Sequence, residues 1–233
     1  MMSSGNSGPK IEYVGGYHED WKPNYVLTET VTYGGLLTGG LASSPQAGDL
    51  VVVFVYFKYI GDATGGITIS GYTKQSATYV ENTWITNHLV FYKILTAADT
   101  TIDFASGGAY AYPMYGFQVF RNTSATTPIA DEAIATRTDG LVDPAGVVKT
   151  NSRQWICVGG VNVGGGGAAP EDEWALELTT TELDNFLTGG QKNYKAGTGY
   201  SASVSDPVQF GGGNAGTELS SAVSTLLINP SDL

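Results

Sequence analysis

The chain has 233 residues, of which 42% are hydrophobic, and a formal net charge of −11. This length suits one large all-β domain or two small ones, and the hydrophobic share excludes a disordered polymer. The acidic surplus, with no local cluster of Lys or Arg, argues against a nucleic-acid partner.

Glycine, at 32 residues, is over-represented, and 14 Tyr and 8 Phe accompany many Thr and Val. That is the composition of aromatic and β-branched strands separated by glycine turns. No apolar run reaches the roughly 18 residues of a membrane-spanning helix. The N-terminus lacks the basic and apolar regions of a signal peptide. The sequence reads as soluble and made in the cytosol, with no membrane partner.

In chain order, residues 1–10 form a Ser/Gly-rich arm. Residues 25–33 alternate well enough for a strand with one wet face. The two segments together, 1–40, read as an N-terminal arm and lead-in strand. Residues 41–233 read as a single β-sandwich domain.

Its first central strand is the run Leu50-Val51-Val52-Val53-Phe54-Val55-Tyr56-Phe57, launched by Gly48-Asp49. Too short for a membrane and bounded by turn formers, it reads as a strand buried on both faces. Strands follow at 67–70, 72–79, 87–95, 101–104 and 115–121, with glycine turns between them. The second half is a looser copy. Its central strand spans 154–163, an amphipathic strand 174–179, short strands 197–204 and 207–210, and a closing strand 221–228. Thr181-Glu182-Leu183-Asp184 fits a minimal capping box, which allows one helical turn. The fold class is therefore all-β: an antiparallel two-sheet sandwich with an internal pseudo-repeat of strand order.

Candidate chemistry is sparse. Gly211-Gly212-Gly213-Asn214-Ala215-Gly216 matches a dinucleotide fingerprint only formally, because no βαβ unit surrounds it. Gly164 to Gly167 lacks the Gly-Lys-Ser/Thr of a phosphate loop. Cys157, the sole cysteine, lies in an apolar run and reads as a buried small hydrophobe. Two histidines, His18 and His88, are too few for a metal cluster. No serine stands in a nucleophile elbow. Asn122-Thr123-Ser124 is a glycosylation sequon without a secretory signal. Glu171, Asp172 and Glu173 form an acidic loop that lacks calcium-loop spacing. No catalytic residue, cofactor or metal site is singled out.

The remaining lead is aromatic. Tyr110, Tyr112 and Tyr115, flanked by Gly107-Gly108 and interrupted by Pro113, suggest a loop or strand start that presents a contact surface. Trp174 beside Glu171, Asp172 and Glu173 is a second candidate for contact with a partner or a glycan.

Several motifs form an ordered series: Gly48-Asp49-Leu50-Val51-Val52, Gly71-Tyr72-Thr73, Phe91-Tyr92-Lys93-Ile94, and Phe120-Arg121-Asn122 with Thr127-Pro128-Ile129-Ala130. This series resembles the glycine-rich, jelly-roll-like β-sandwich virion proteins of tailed bacteriophages. The resemblance covers residues 45–131 well and is only suggestive from 150 to 229. It implies a jelly-roll type of sandwich and carries over no catalytic residue. It further implies a non-enzymatic structural protein, most concretely a capsid decoration (cement) protein on the virion surface, made in the host cytoplasm. Its partners would be the major capsid protein or other virion proteins and further copies of itself. The alternative is a carbohydrate- or receptor-binding module of a tail fibre or head spike. A glycan hydrolase stands behind both, since a fold alone does not define an activity.

Overall fold

A computed structural model describes residues 8–19, 27–37, 40–41, 44–59, 62–81, 85–97, 99–106, 111–137, 147, 153–163, 174–182 and 220–232. They form β1 (Glu12–Glu19), β2 (Glu29–Thr32), β3 (Leu50–Tyr59), β4 (Ile67–Ile69), β5 (Thr73–Val80), β6 (Ile85–Ile94), β7 (Thr101–Ser106), β8 (Ala111–Arg121), β9 (Ile129–Arg137), β10 (Trp155–Val163), β11 (Trp174–Glu182) and β12 (Ser220–Ile228). All pairings between these strands are antiparallel.

The strands make three sheets rather than the expected two, in the orders β1-β8-β3-β6-β5, β11-β10-β12-β9 and β2-β7-β4. The run at 50–57 explains the third sheet. A strand with one wet face alternates, but all eight of these side chains are 0% exposed, so both faces of the five-stranded sheet must be covered. On one face Val51, Val53, Val55 and Phe57 pack with Val31, Ile67, Ile69, Ile102 and Phe104 of the three-stranded sheet. On the other, Leu50, Val52, Phe54 and Tyr56 pack with Cys157, Leu226 and Ile228 of the four-stranded sheet. The five-stranded sheet is thus the middle layer of three, and β3 is its central strand.

β10 lies inside the four-stranded sheet, between β11 and β12, as its apolar run requires. The segment 1–40, read as an arm and lead-in strand, supplies two strands: β1, and β2, which lies within the strand expected at 25–33. β1 lines β8 from Glu12 opposite Arg121 to Glu19 opposite Tyr115, and β2 pairs with β7. Val14, Leu27, Val31 and Tyr33 are core residues. β1 has no clear sequence signature because Gly15 and Gly16 interrupt its alternation, and a register shift falls between Tyr13 and Gly15. Thr181 and Glu182, where a helical turn was allowed, end β11 as extended chain. The strands expected at 197–204 and 207–210 lie outside the described residues, as do both long glycine tracts.

Candidate functional site

Tyr110 lies outside the described residues. Tyr112 and Tyr115 belong to β8, which starts at Ala111, so this is strand and not loop. Pro113 is accommodated because the β3–β8 register slips there: Tyr56 faces Met114, while Lys58 faces Ala111. A bulge is where a strand tolerates a residue that has no N–H. Tyr115 is only 2% exposed and packs against Phe104, with ring centroids 4.6 Å apart. It is a core residue that keeps only a small accessible edge. Trp174 opens β11 opposite Val163. Glu171, Asp172 and Glu173 lie outside the described residues.

The edge of Tyr115 reaches a shallow recess of about 340 Å³ between β1 and the outer strand β2. Tyr17, Glu29, Thr30, Thr32 and Leu36 line it with Tyr115. Tyr17 rests on Tyr115 and Phe117 at centroid distances of 6.4 and 5.7 Å. The recess therefore offers an aromatic wall, the Glu29 carboxylate and the Thr32 hydroxyl, beside a Thr30 hydroxyl that donates to Asp103, a combination suited to a small polyhydroxylated ligand.

Elsewhere on the three-stranded side, Tyr33 and Tyr72 share a hydroxyl–hydroxyl hydrogen bond. Burial pushes the Tyr33 phenol up to about 12, against the lowering effect of that bond. Lys93 lies over the Tyr72 ring and pairs with Asp99 at 2.5 Å. Asp103 accepts from Thr30 Oγ1 at 2.7 Å. Burial alone would raise the Asp99 carboxyl, but hydrogen bonds from Lys93 and Thr96, with the Lys93 charge, hold it below the usual carboxylate range.

The start of β3 explains the Gly48-Asp49 motif. Gly48 has φ +90°, a conformation that glycine adopts without strain. Asp49 is 1% exposed; its Oδ2 accepts the Gln46 N–H, and both its oxygens accept from Arg121 Nε and Nη2 at 2.9 Å. A buried carboxylate needs such a bidentate partner. The first and last β-strand motifs of the resemblance are therefore joined by one ion pair.

Between the five- and four-stranded sheets lies a polar seam that sequence reasoning missed. His88 and Ser224, both 0% exposed, are joined Nε2 to Oγ at 2.7 Å. The His88 ring stacks on Tyr56, with centroids 4.4 Å apart. Burial pushes its pKa down to about 3, so the imidazole is neutral. Gln118 Oε1 accepts a long bond from Cys157 Sγ at 3.6 Å, and burial raises the thiol well above its ordinary value. The one sequence signal for this seam was polar residues within apolar strands, His88 in β6 and Gln118 in β8. Their partners are 136 and 39 residues away. A His–Ser pair resembles a nucleophile and its base, but this one is sealed between sheets, and a substrate has no path to it.

The sequon is also structural. Asn122 has φ +61°, its Nδ2 donates to Lys10 O at 2.9 Å, and Thr123 and Ser124 are buried. Among the described residues, no three His, Cys, Asp or Glu side chains gather as a metal site, and no helix is long and apolar enough to cross a membrane. Compared with protein families, with curated proteins and with solved structures, the chain matches none.

Proposed function

We propose that the chain is a structural component of a bacteriophage virion, most concretely a decoration protein seated on the outside of a capsid shell. The observation that carries this reading is the spatial coherence of the motifs behind the resemblance. They occupy β3 through β8 and the turn into β9, and Asp49 of the first is clamped to Arg121 of the last strand motif. The covered middle sheet and the sealed His88 and Cys157 further support a scaffold whose outside, rather than its interior, meets partners. The capsid protein of the shell is the proposed partner. In the same reading the sandwich is of jelly-roll type with an internal doubling. Its support is that each buried run has two antiparallel neighbours, β6 and β8 around β3, and β11 and β12 around β10. Reconstruction of purified particles is the test. Density for the chain on the head lattice is the expected result, and its absence from particles overturns the proposal.

A second reading, a glycan- or receptor-binding module, is favoured by the recess of Tyr17, Glu29, Thr30, Thr32 and Tyr115. Glycan-array binding that is abolished by Thr32→Lys, at the rim, supports it. Binding that ignores this substitution removes the recess from consideration.

A further inference from the structure

Two sheets end side by side. β5 is the outer strand of the five-stranded sheet and β9 of the four-stranded sheet, and Ser76 Oγ on β5 donates to Glu132 Oε1 on β9 at 2.6 Å. Among the described residues each pairs on one side only, so each presents a row of backbone donors and acceptors on the other. Three large hydrophobic residues are exposed among the described residues, and two of them stand on these strands: Tyr79 at 42% and Ile134 at 36%. They are also close in height. Thr78 faces His88 and Ile134 faces Ser224 across their ladders, and the His88–Ser224 bond ties the two rungs together.

We propose that this double edge is an interface between two copies of the chain, related by a two-fold axis that crosses both sheets at the rungs of Thr78 and Ile134. A two-fold axis perpendicular to a sheet lays a strand antiparallel beside its own copy. When the axis passes through Ile134, that residue faces itself, and Asp131 faces Arg137 of the second copy, twice over. Centring on Ala133 instead sets Glu132 against Ile134 and Ile129 against Arg137, wasting both the apolar and the ionic residues. On β5 the same axis through Thr78 puts Tyr79 opposite the second copy's Ala77, where a ring has room. The bulge between Lys74 and Ser76 ends the pairing there and limits it to residues 76–80.

Charge favours a second copy over other occupants. The chain carries −11 overall, yet the paired stretches 76–80 and 131–137 hold only Asp131, Glu132 and Arg137 as charged residues. This edge is a weakly charged strip on an acidic molecule, and two such strips meet with little repulsion. The inference stands independently of the virion reading.

Sedimentation velocity of the full chain at high micromolar concentration tests it. A dimer is expected. Ile134→Lys, which sets like charges face to face on the axis, is expected to weaken it about tenfold or more. Asp131→Arg is also expected to weaken it, and adding Arg137→Asp to restore it, because the swap rebuilds the ionic rungs. Ile134→Cys is expected to form an inter-chain disulfide on mild oxidation, and Thr136→Cys is not; this readout holds even if the lysine variant fails to fold. A monomeric wild type overturns the proposal. So does a dimer that is insensitive to the charge changes and not cross-linked through position 134.

Discussion

Gly159 stands in the middle of β10, where a glycine ordinarily weakens a strand. Here it is required, because a Cβ at this position would stand 2.4–2.5 Å from three ring atoms of Phe54 on the facing sheet, well inside van der Waals contact. Gly159→Ala is expected to overpack the seam and cost about 1–3 kcal/mol, read as a lower denaturation midpoint with unchanged m-value. Gly48→Ala acts through the backbone instead, since open space surrounds it but its φ is +90°. Asp49→Asn leaves Arg121 beside a neutral group. Breaking a buried pair from one side costs about 3–5 kcal/mol, the upper limit here because Arg121 keeps some solvent. Chemical denaturation of Asp49→Asn and Arg121→Met checks this, with both variants expected well below wild type.

His88 gives the residue scale a pH dependence. Its folded pKa is about 3, below the unfolded value near 6.5. The unfolded chain therefore binds the proton first as pH falls. Its contribution to stability is at its maximum above about pH 6.5, and it declines by up to about 1.4 kcal/mol per pH unit down to the folded value. The difference in unfolding free energy between wild type and His88→Gln, measured from pH 7 to 4, is expected to narrow with acidity. A constant difference would show that His88 does not titrate in this way.

Among the elements, β3, β6, β7, β10 and β12 were legible because their apolar content or alternation is strong and local. β1 and β9 were not. β9 (Ile129–Arg137) is outermost in its sheet and mixes Asp131, Glu132 and three alanines with its isoleucines, so no period stands out. β1 is held by its long partner β8 rather than by its own pattern. The polar seam was illegible for a further reason: each member looks unremarkable until a strand far along the chain supplies its partner. Removal of residues 1–38 is accordingly expected to unfold the domain, not merely to trim an N-terminal arm. It strips Val14, Leu27, Val31 and Tyr33 from the core and bares the outer edge of β8. Circular dichroism and a lost thermal transition would register this, whereas removal of residues 1–7 is expected to leave both intact.

At the scale of the molecule, three layers use one sheet twice. The middle sheet supplies both cores, so the run at 50–57 can be apolar throughout without exposing a hydrophobic face. The sequence conveyed that this strand was doubly buried, but not that each face has its own covering sheet. Strand count and composition are alike for two large sheets and for three smaller ones. Only pairing separates them, and pairing is a long-range property. Among the described residues Asp49, at the start of β3, is the one acidic side chain that is almost fully buried, and Arg121 pairs with it.

One corner of the fold gathers distant parts of the chain. Ser231 N–H donates to Asn122 O at 2.9 Å, Asn122 reaches Lys10, and Thr123 bridges Pro230. Arg153 pairs with Asp232, and Gly8 lies against both. Residues 8 and 232 are thus neighbours, and the polypeptide between them is geometrically almost a ring. Closing that ring with a short Gly/Ser linker between residues 232 and 8 would keep the contacts of the described residues and remove freedom from the unfolded chain. The gain is up to about 5 kcal/mol in the loop-closure account, and new ends opened in an exposed turn such as 64–66 would give a permuted chain with the same fold.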